Sequence, residues 1–92
     1  MSSGGGPDLA DLEREIRTLI EGRILDGISL APAAPLDEAG VDSMAVIQIL
    51  LLIEKRFGVW LPESDVTREN LKTVQSLARV LRRRLAEQSS AA

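Results

Sequence analysis

The chain has 92 residues, 45% hydrophobic and 27% charged, a globular balance in a length that allows one small domain. With no Cys and no His it lacks disulfides, thiolate zinc sites, the usual general base and the commonest metal ligand. A formal charge of −3 and only two aromatics, Phe57 and Trp60, argue against a nucleic-acid surface and require an aliphatic core.

No basic stretch precedes an apolar one at the N-terminus, so no signal peptide is expected. The longest nearly apolar run, residues 44–53, is about half the ~20 residues that a membrane span needs. A cytoplasmic protein without a membrane span follows as the expectation. Residues 1–6 read as a disordered Ser/Gly lead and residues 88–92 as a flexible tail, with one folded unit over residues 7–87.

The first helix is predicted from Pro7–Asp8, with Asp8 as its cap and Asp11 near a capping-box spacing. Leu9, Leu12, Ile16, Leu19, Ile20 and Ile24 recur at helical spacing, and Gly27 is the expected stop. Residues 28–41 hold Pro32, Pro35 and Gly40 and read as a loop that Leu30 and Leu36 tuck onto the bundle. The second helix is predicted from Asp42–Ser43 to Phe57, with Gly58 just past its end. A short helical turn capped by Thr67 is expected near residues 67–71. The last helix starts at Thr73 and carries Val74, Leu77, Val80, Leu81 and Leu85 inward. Arg79, Arg82, Arg83 and Arg84 suit the end of that helix, as a solvated cationic terminus or as a basic docking patch. The class is all-α: a small antiparallel four-helix bundle of three main helices plus a short third helix.

Helix two lacks a clean polar face, because only Gln48 interrupts the apolar run of residues 44–53. On a helical wheel Val46, Ile49, Leu50, Ile53 and Phe57 share one side, while Met44, Gln48, Leu51 and Lys55 share the other, with Ile47 at its edge. So short a chain cannot bury both. Either part of the Met44–Ile47–Leu51 stripe is exposed as a partner surface, or the long loop covers it.

At the start of this helix stand Asp42 and Ser43, both good caps. A hydroxyl there also projects at a helix N-terminus, where backbone N–H groups favour a phosphate. Without His, Ser43 has no internal base and is a poor nucleophile by itself, yet it is a reasonable substrate for an enzyme that brings one.

Asp42-Ser43-Met44 resembles the Asp-Ser-Leu/Met signature of acyl and peptidyl carrier proteins. Residues 46–59, with the Phe57-Gly58 exit, are similar to the second helix of that family. Leu61-Pro62 and Thr73-Val74-Gln75-Ser76-Leu77 follow in order and at suitable distances, so the resemblance covers residues 36–85. Helix one agrees in length and pattern only.

The resemblance implies that the folded unit is a stand-alone carrier domain and not an enzyme, with no catalytic residue or metal of its own. Ser43 would carry 4′-phosphopantetheine, transferred from coenzyme A by a separate phosphopantetheinyl transferase, and the thiol of that arm would hold cargo as a thioester. Asp42 would orient the site and Met44 would fill an apolar contact beside it. Helix two would dock partners through Ile47, Gln48, Leu51 and Lys55, while Val66 and Leu71 border a cargo or partner groove. The implied partners are an acyl- or aminoacyl-activating ligase and a ketosynthase or condensation-type enzyme, met by a monomeric carrier.

Departures from the family pattern bear on cargo. Carriers of fatty-acid synthesis bear several carboxylates along helix two; the matching positions here are Ala45 and Gln48, with Lys55 following Glu54. Residues 1–43 instead hold nine Asp/Glu against three Arg. This favours antibiotic-type secondary metabolism, with an acyl cargo (polyketide or nonribosomal peptide biosynthesis) and a peptidyl, aminoacyl or D-alanyl-like carrier as the alternative. A remoter alternative is an unmodified helical adaptor that binds a partner through helix two. Trp60 stands where the family has a smaller or polar residue, and the core edge is its expected place.

Overall fold

The computed structural model describes residues 8–31 and 33–90; the expected disordered lead, residues 1–6, lies outside them. Three α-helices, α1 (Leu9–Arg23), α2 (Ser43–Phe57) and α3 (Val74–Ser90), and a 3-10 helix at Glu63–Asp65 form a small helical bundle, with no strand among the described residues. No helix among these residues is long and apolar enough to cross a membrane.

Helix α1 packs against both α2 and α3. It buries Leu12, Ile16 and Ile20, the middle of the predicted periodic set, in one aliphatic core with Ile49, Leu50 and Ile53 of α2 and Val74, Leu77 and Leu81 of α3. Leu30 and Leu36 are buried as expected, and the long loop is tied down by the Leu30 N–H, which donates to Glu21 Oε2 at 2.6 Å. Asp8 is the N-cap of α1 only by position, because its side chain makes no cap hydrogen bond. Asp11, expected near a capping-box role, instead accepts a bond from Arg14 one turn on.

Helix α2 begins and ends where the sequence predicts. Gly58 closes it in the left-handed region at φ 72°, donating its N–H to the Glu54 carbonyl at 2.8 Å. A residue with a Cβ adopts that conformation only with strain.

Several expectations beyond this point need correction. A 3-10 helix at Glu63–Asp65, not among the predicted elements, precedes the short helical turn. The turn itself forms over residues 67–71 as expected, with Thr67 as its cap: Thr67 Oγ1 accepts from the Asn70 N–H at 3.1 Å and the Thr67 carbonyl from the Leu71 N–H at 3.0 Å. That turn cannot propagate, because Thr73 and Ser76 already cap α3 reciprocally, each side-chain oxygen accepting the other's N–H at 3.0 Å.

Helix α3 continues to Ser90, so residues 88–90, expected in the tail, are helical; residues 91–92 lie outside the described set. With the helix that long, the arginine cluster falls short of its last turn. Arg83 and Arg84 turn instead to Asp65, the buried charged residue of the fold. Trp60, expected at the core edge, is 52% exposed, because its neighbours Val59 and Leu61 point inward and fill that edge.

The Asp65 carboxyl is held below the ordinary carboxylate range, first by the hydrogen bond from Arg84 and then by the charges of both arginines, against an opposing contribution from burial. A lowered folded value means that this stabilisation is present above the unfolded carboxylate value and is lost as pH falls through the folded one. Asp65→Asn should therefore cost about 1–3 kcal/mol at neutral pH, the range for hydrogen bonds to a charged group, in urea unfolding. The gap from wild type should narrow below about pH 4; an equal gap at pH 3 would contradict it. Ile53→Ala, which empties a fully packed site on α2, should lose about 2–5 kcal/mol by the same measurement.

Candidate functional site

The loop before α2 turns sharply at Gly40, which sits at φ 103°, and the next residue, Val41, donates its N–H to the Leu36 carbonyl at 3.0 Å. Asp42 follows in an extended conformation as the N-cap of α2. Its carboxylate accepts the Ala45 N–H at 2.9 Å, and its own carbonyl accepts the Val46 N–H at 2.9 Å. Asp42 thus serves the helix end by side chain and backbone together.

Ser43 is the first residue of the helix and is exposed. Of the two capping candidates only Asp42 caps, and no described residue hydrogen-bonds the Ser43 hydroxyl. The oxygen stands at the positive end of a 15-residue helix with the backbone donors of the first turn beside it. It also lines an open groove of about 820 Å³, whose walls are Leu36, Val41 and Val46 on one side and Leu71 and Lys72 on the other. Four carboxylates (Asp37, Glu38, Asp42 and Glu69) and the cations Arg68 and Lys72 make the rim polar.

Along the outer face of α2, Met44 is 69% exposed, Ile47 52% and Leu51 51%. Gln48 and Lys55 are exposed on the same face. The wheel separates the helix correctly, and the long loop does not cover the stripe. Ala45, matched in the sequence to a carboxylate position of the docking helix, is instead buried at the first turn. Val66 is half-buried against the core and does not line the groove, whereas Leu71 does.

The structure therefore brings Asp42, Ser43 and Met44 together at one helix tip and continues the exposed face from Ile47 to Lys55. Sequence reasoning missed the loop residues Pro35, Asp37 and Glu38 and the wall residues Arg68, Glu69 and Lys72. They approach Ser43 only through tertiary contact, and no local pattern marks them.

The family model described as "Phosphopantetheine attachment site" matches residues 14–81. This chain belongs to that family of carrier proteins. Its prosthetic group is covalent 4′-phosphopantetheine, and the local chemistry fits such a group: an exposed hydroxyl without a hydrogen-bond partner among the described residues, at a helix N-terminus, opening on a groove.

Among relatives of the carrier, Aminoacyl carrier protein 1 of Bradyrhizobium diazoefficiens is 32% identical over 85 residues, covering 88% of this chain and 93% of the relative. An acyl carrier protein of Amoebophilus asiaticus is 33% identical over 79 residues, covering 79% of this chain and 96% of the relative. The fold is similar to a chain in the crystal structure of Bradyrhizobium japonicum glycine:[carrier protein] ligase complexed with glycylated carrier protein. That match has a TM-score of 0.62 and 26% identity, covering 78% of this chain and 96% of that one.

Leu51→Glu adds a charge to a side chain already in solvent. Helicity by circular dichroism and the urea midpoint should stay close to wild type, within about 0.5 kcal/mol. Unfolding of this variant would show that the stripe is packed.

Proposed function

We propose that Ser43 is the attachment residue and that the carrier presents an aminoacyl group, activated by a separate ligase, on its arm. The observation that carries the attachment reading is the division of labour at the helix tip, where Asp42 caps and Ser43 is left exposed. Ser43 would supply the oxygen of the new phosphodiester as the pyrophosphate bond of coenzyme A breaks and adenosine 3′,5′-bisphosphate leaves; its proton would pass to a base of the transferase, since no described side chain bonds the hydroxyl. Asp42 fixes the helix end that aims the oxygen. When attached, the arm supplies a thiol for thioester chemistry, which a chain without Cys otherwise lacks.

In this role the chain is a substrate and shuttle, and catalysis belongs to its partners. They meet it on the exposed face of α2, through Met44, Ile47, Gln48, Leu51 and Lys55. Aminoacyl cargo draws support from relatives named aminoacyl carrier proteins and from a structural neighbour solved with a glycine:[carrier protein] ligase. Acyl cargo in polyketide or nonribosomal peptide biosynthesis is the second reading, favoured by relatives named acyl carrier proteins.

Incubation with a broad-specificity phosphopantetheinyl transferase and coenzyme A should add one phosphopantetheine group by intact mass, and Ser43→Ala should gain nothing. No gain on wild type, or a gain that persists in Ser43→Ala, would overturn the attachment reading. The loaded protein should then take an aminoacyl adduct from ATP, glycine or another small amino acid and an amino acid:[carrier protein] ligase. Charging only by acyl-transferring enzymes would establish the second reading instead.

A further inference from the structure

The connection between α2 and α3 contains a bonded network outside the attachment site. Asp65 is 6% exposed, and its carboxylate accepts from Arg84 Nε at 2.5 Å and from Arg83 Nη2 at 3.3 Å. Its carbonyl accepts from Asn70 Nδ2 at 2.9 Å, and the Asn70 carbonyl accepts from Ser76 Oγ at 2.9 Å in the first turn of α3. Residues 65–70 are thus fastened to α3 at both ends, once far along the helix and once at its start.

The same connection supplies one wall of the groove beside Ser43, through Arg68, Leu71 and Lys72. The opposite wall belongs to the loop before α2. One backbone bond joins the two, the Leu36 N–H donating to the Lys72 carbonyl at 2.8 Å. Leu36 in turn accepts the Val41 N–H, one residue before the cap Asp42. A series of short bonds therefore runs from the Asp65 cluster to the segment that positions Ser43.

We propose that Asp65 is a positioning residue for the loading of Ser43: clasped by Arg84 and Arg83, it holds the groove wall where Lys72 meets Leu36. Burying a carboxylate gives little net stability compared with an apolar residue of similar size. What the pairing provides is one discrete location for a connection that is otherwise a 3-10 helix and an isolated turn. Two states follow. In the latched state the Leu36–Lys72 bond is formed. In the unlatched state residues 66–72 swing out while the aliphatic core of the three helices stays packed. The latch keeps its charge at neutral pH, because the Arg84 hydrogen bond lowers the Asp65 value.

The effect on loading rests on the attachment reading above; the effect on the wall does not. Amide hydrogen exchange of the full chain, read residue by residue by NMR, tests the wall. In Asp65→Asn, and separately in Arg84→Gln, the Leu36 amide should accelerate about tenfold more than those of Ile53 and Leu81, which report only the loss of global stability. The double variant should add little to either single one, since both break the same link.

Kinetics of phosphopantetheine transfer from coenzyme A test the consequence. KM for the carrier should rise severalfold in both variants with kcat little changed. An unmoved Leu36 amide would overturn the latch, as would equal acceleration at Leu36, Ile53 and Leu81, which marks plain loss of stability. Wild-type KM in both variants would overturn the positioning role. Failure of the wild type itself to gain mass would instead sink the attachment reading and leave the exchange result to judge the latch.

Discussion

The bond from the Ala45 N–H to the Asp42 carboxylate organises the helix tip at Ser43. A helix start has orphan backbone donors, and a side chain one residue before the first turn is best placed to satisfy one of them. Asp42 takes that position, so the helix is closed without the neighbouring hydroxyl. Had Ser43 been the cap, its oxygen would accept a backbone N–H and point back along the helix. With Asp42 as the cap, the first helical residue keeps a polar atom that nothing in the described structure consumes. It sits in the field of the helix and beside a groove wide enough for a flexible arm.

The second constraint is size. A bundle this short has one core, and α1 and α3 already occupy two sides of it. Helix α2 can therefore seat only Ala45, Ile49, Leu50 and Ile53 fully. Val46 and Phe57 pack partly on that core, while Met44, Ile47 and Leu51 stay exposed, beginning at the turn that presents Ser43. The exposed Ser43 hydroxyl and the apolar face thus share a helix, and in the proposed role a protein that grips the face meets the hydroxyl at a fixed distance. The unfavourable exposure of Met44, Ile47 and Leu51 gains a physical rationale only in such a complex.

Much of this is legible from the sequence because the decisive signals are local. An Asp before an apolar run and a Gly after it bound α2, and the wheel divides its faces. What the sequence hides is long-range. Asp65 lies in a stretch of polar residues with nothing to mark it as buried, and its partners stand 18 and 19 positions away. The arginines read as a helix terminus because the helix was expected to stop before Gln88, yet it runs on to Ser90. Trp60 suggests burial by its size, but the packing of both its neighbours turns it outward. The polar groove wall is missed for the same reason, since residues 68–72 reach Ser43 only when the Leu36–Lys72 bond joins two separate loops.

Charge is divided unevenly along the chain, with nine acidic residues and three arginines before Met44, and five acidic residues and eight basic ones from Met44 onward. Part of that division is spent inside the fold. Arg56 on α2 pairs with Glu15 on α1 at 2.5 Å, and Arg83 and Arg84 pair with Asp65. The Arg56–Glu15 pair is solvent-exposed and contributes at most about 1 kcal/mol, so it orients the helices more than it stabilises them. What remains on the outer face of α2 is apolar surface with Gln48 and one exposed charge of each sign, Glu54 and Lys55. Long-range steering by a row of carboxylates, which speeds encounter and weakens with salt, is not available to such a face. In the proposed role, recognition by the ligase therefore rests on the shape of Met44, Ile47 and Leu51 and on how well the partner covers them. That kind of docking changes little with ionic strength and discriminates mainly through the lifetime of the complex.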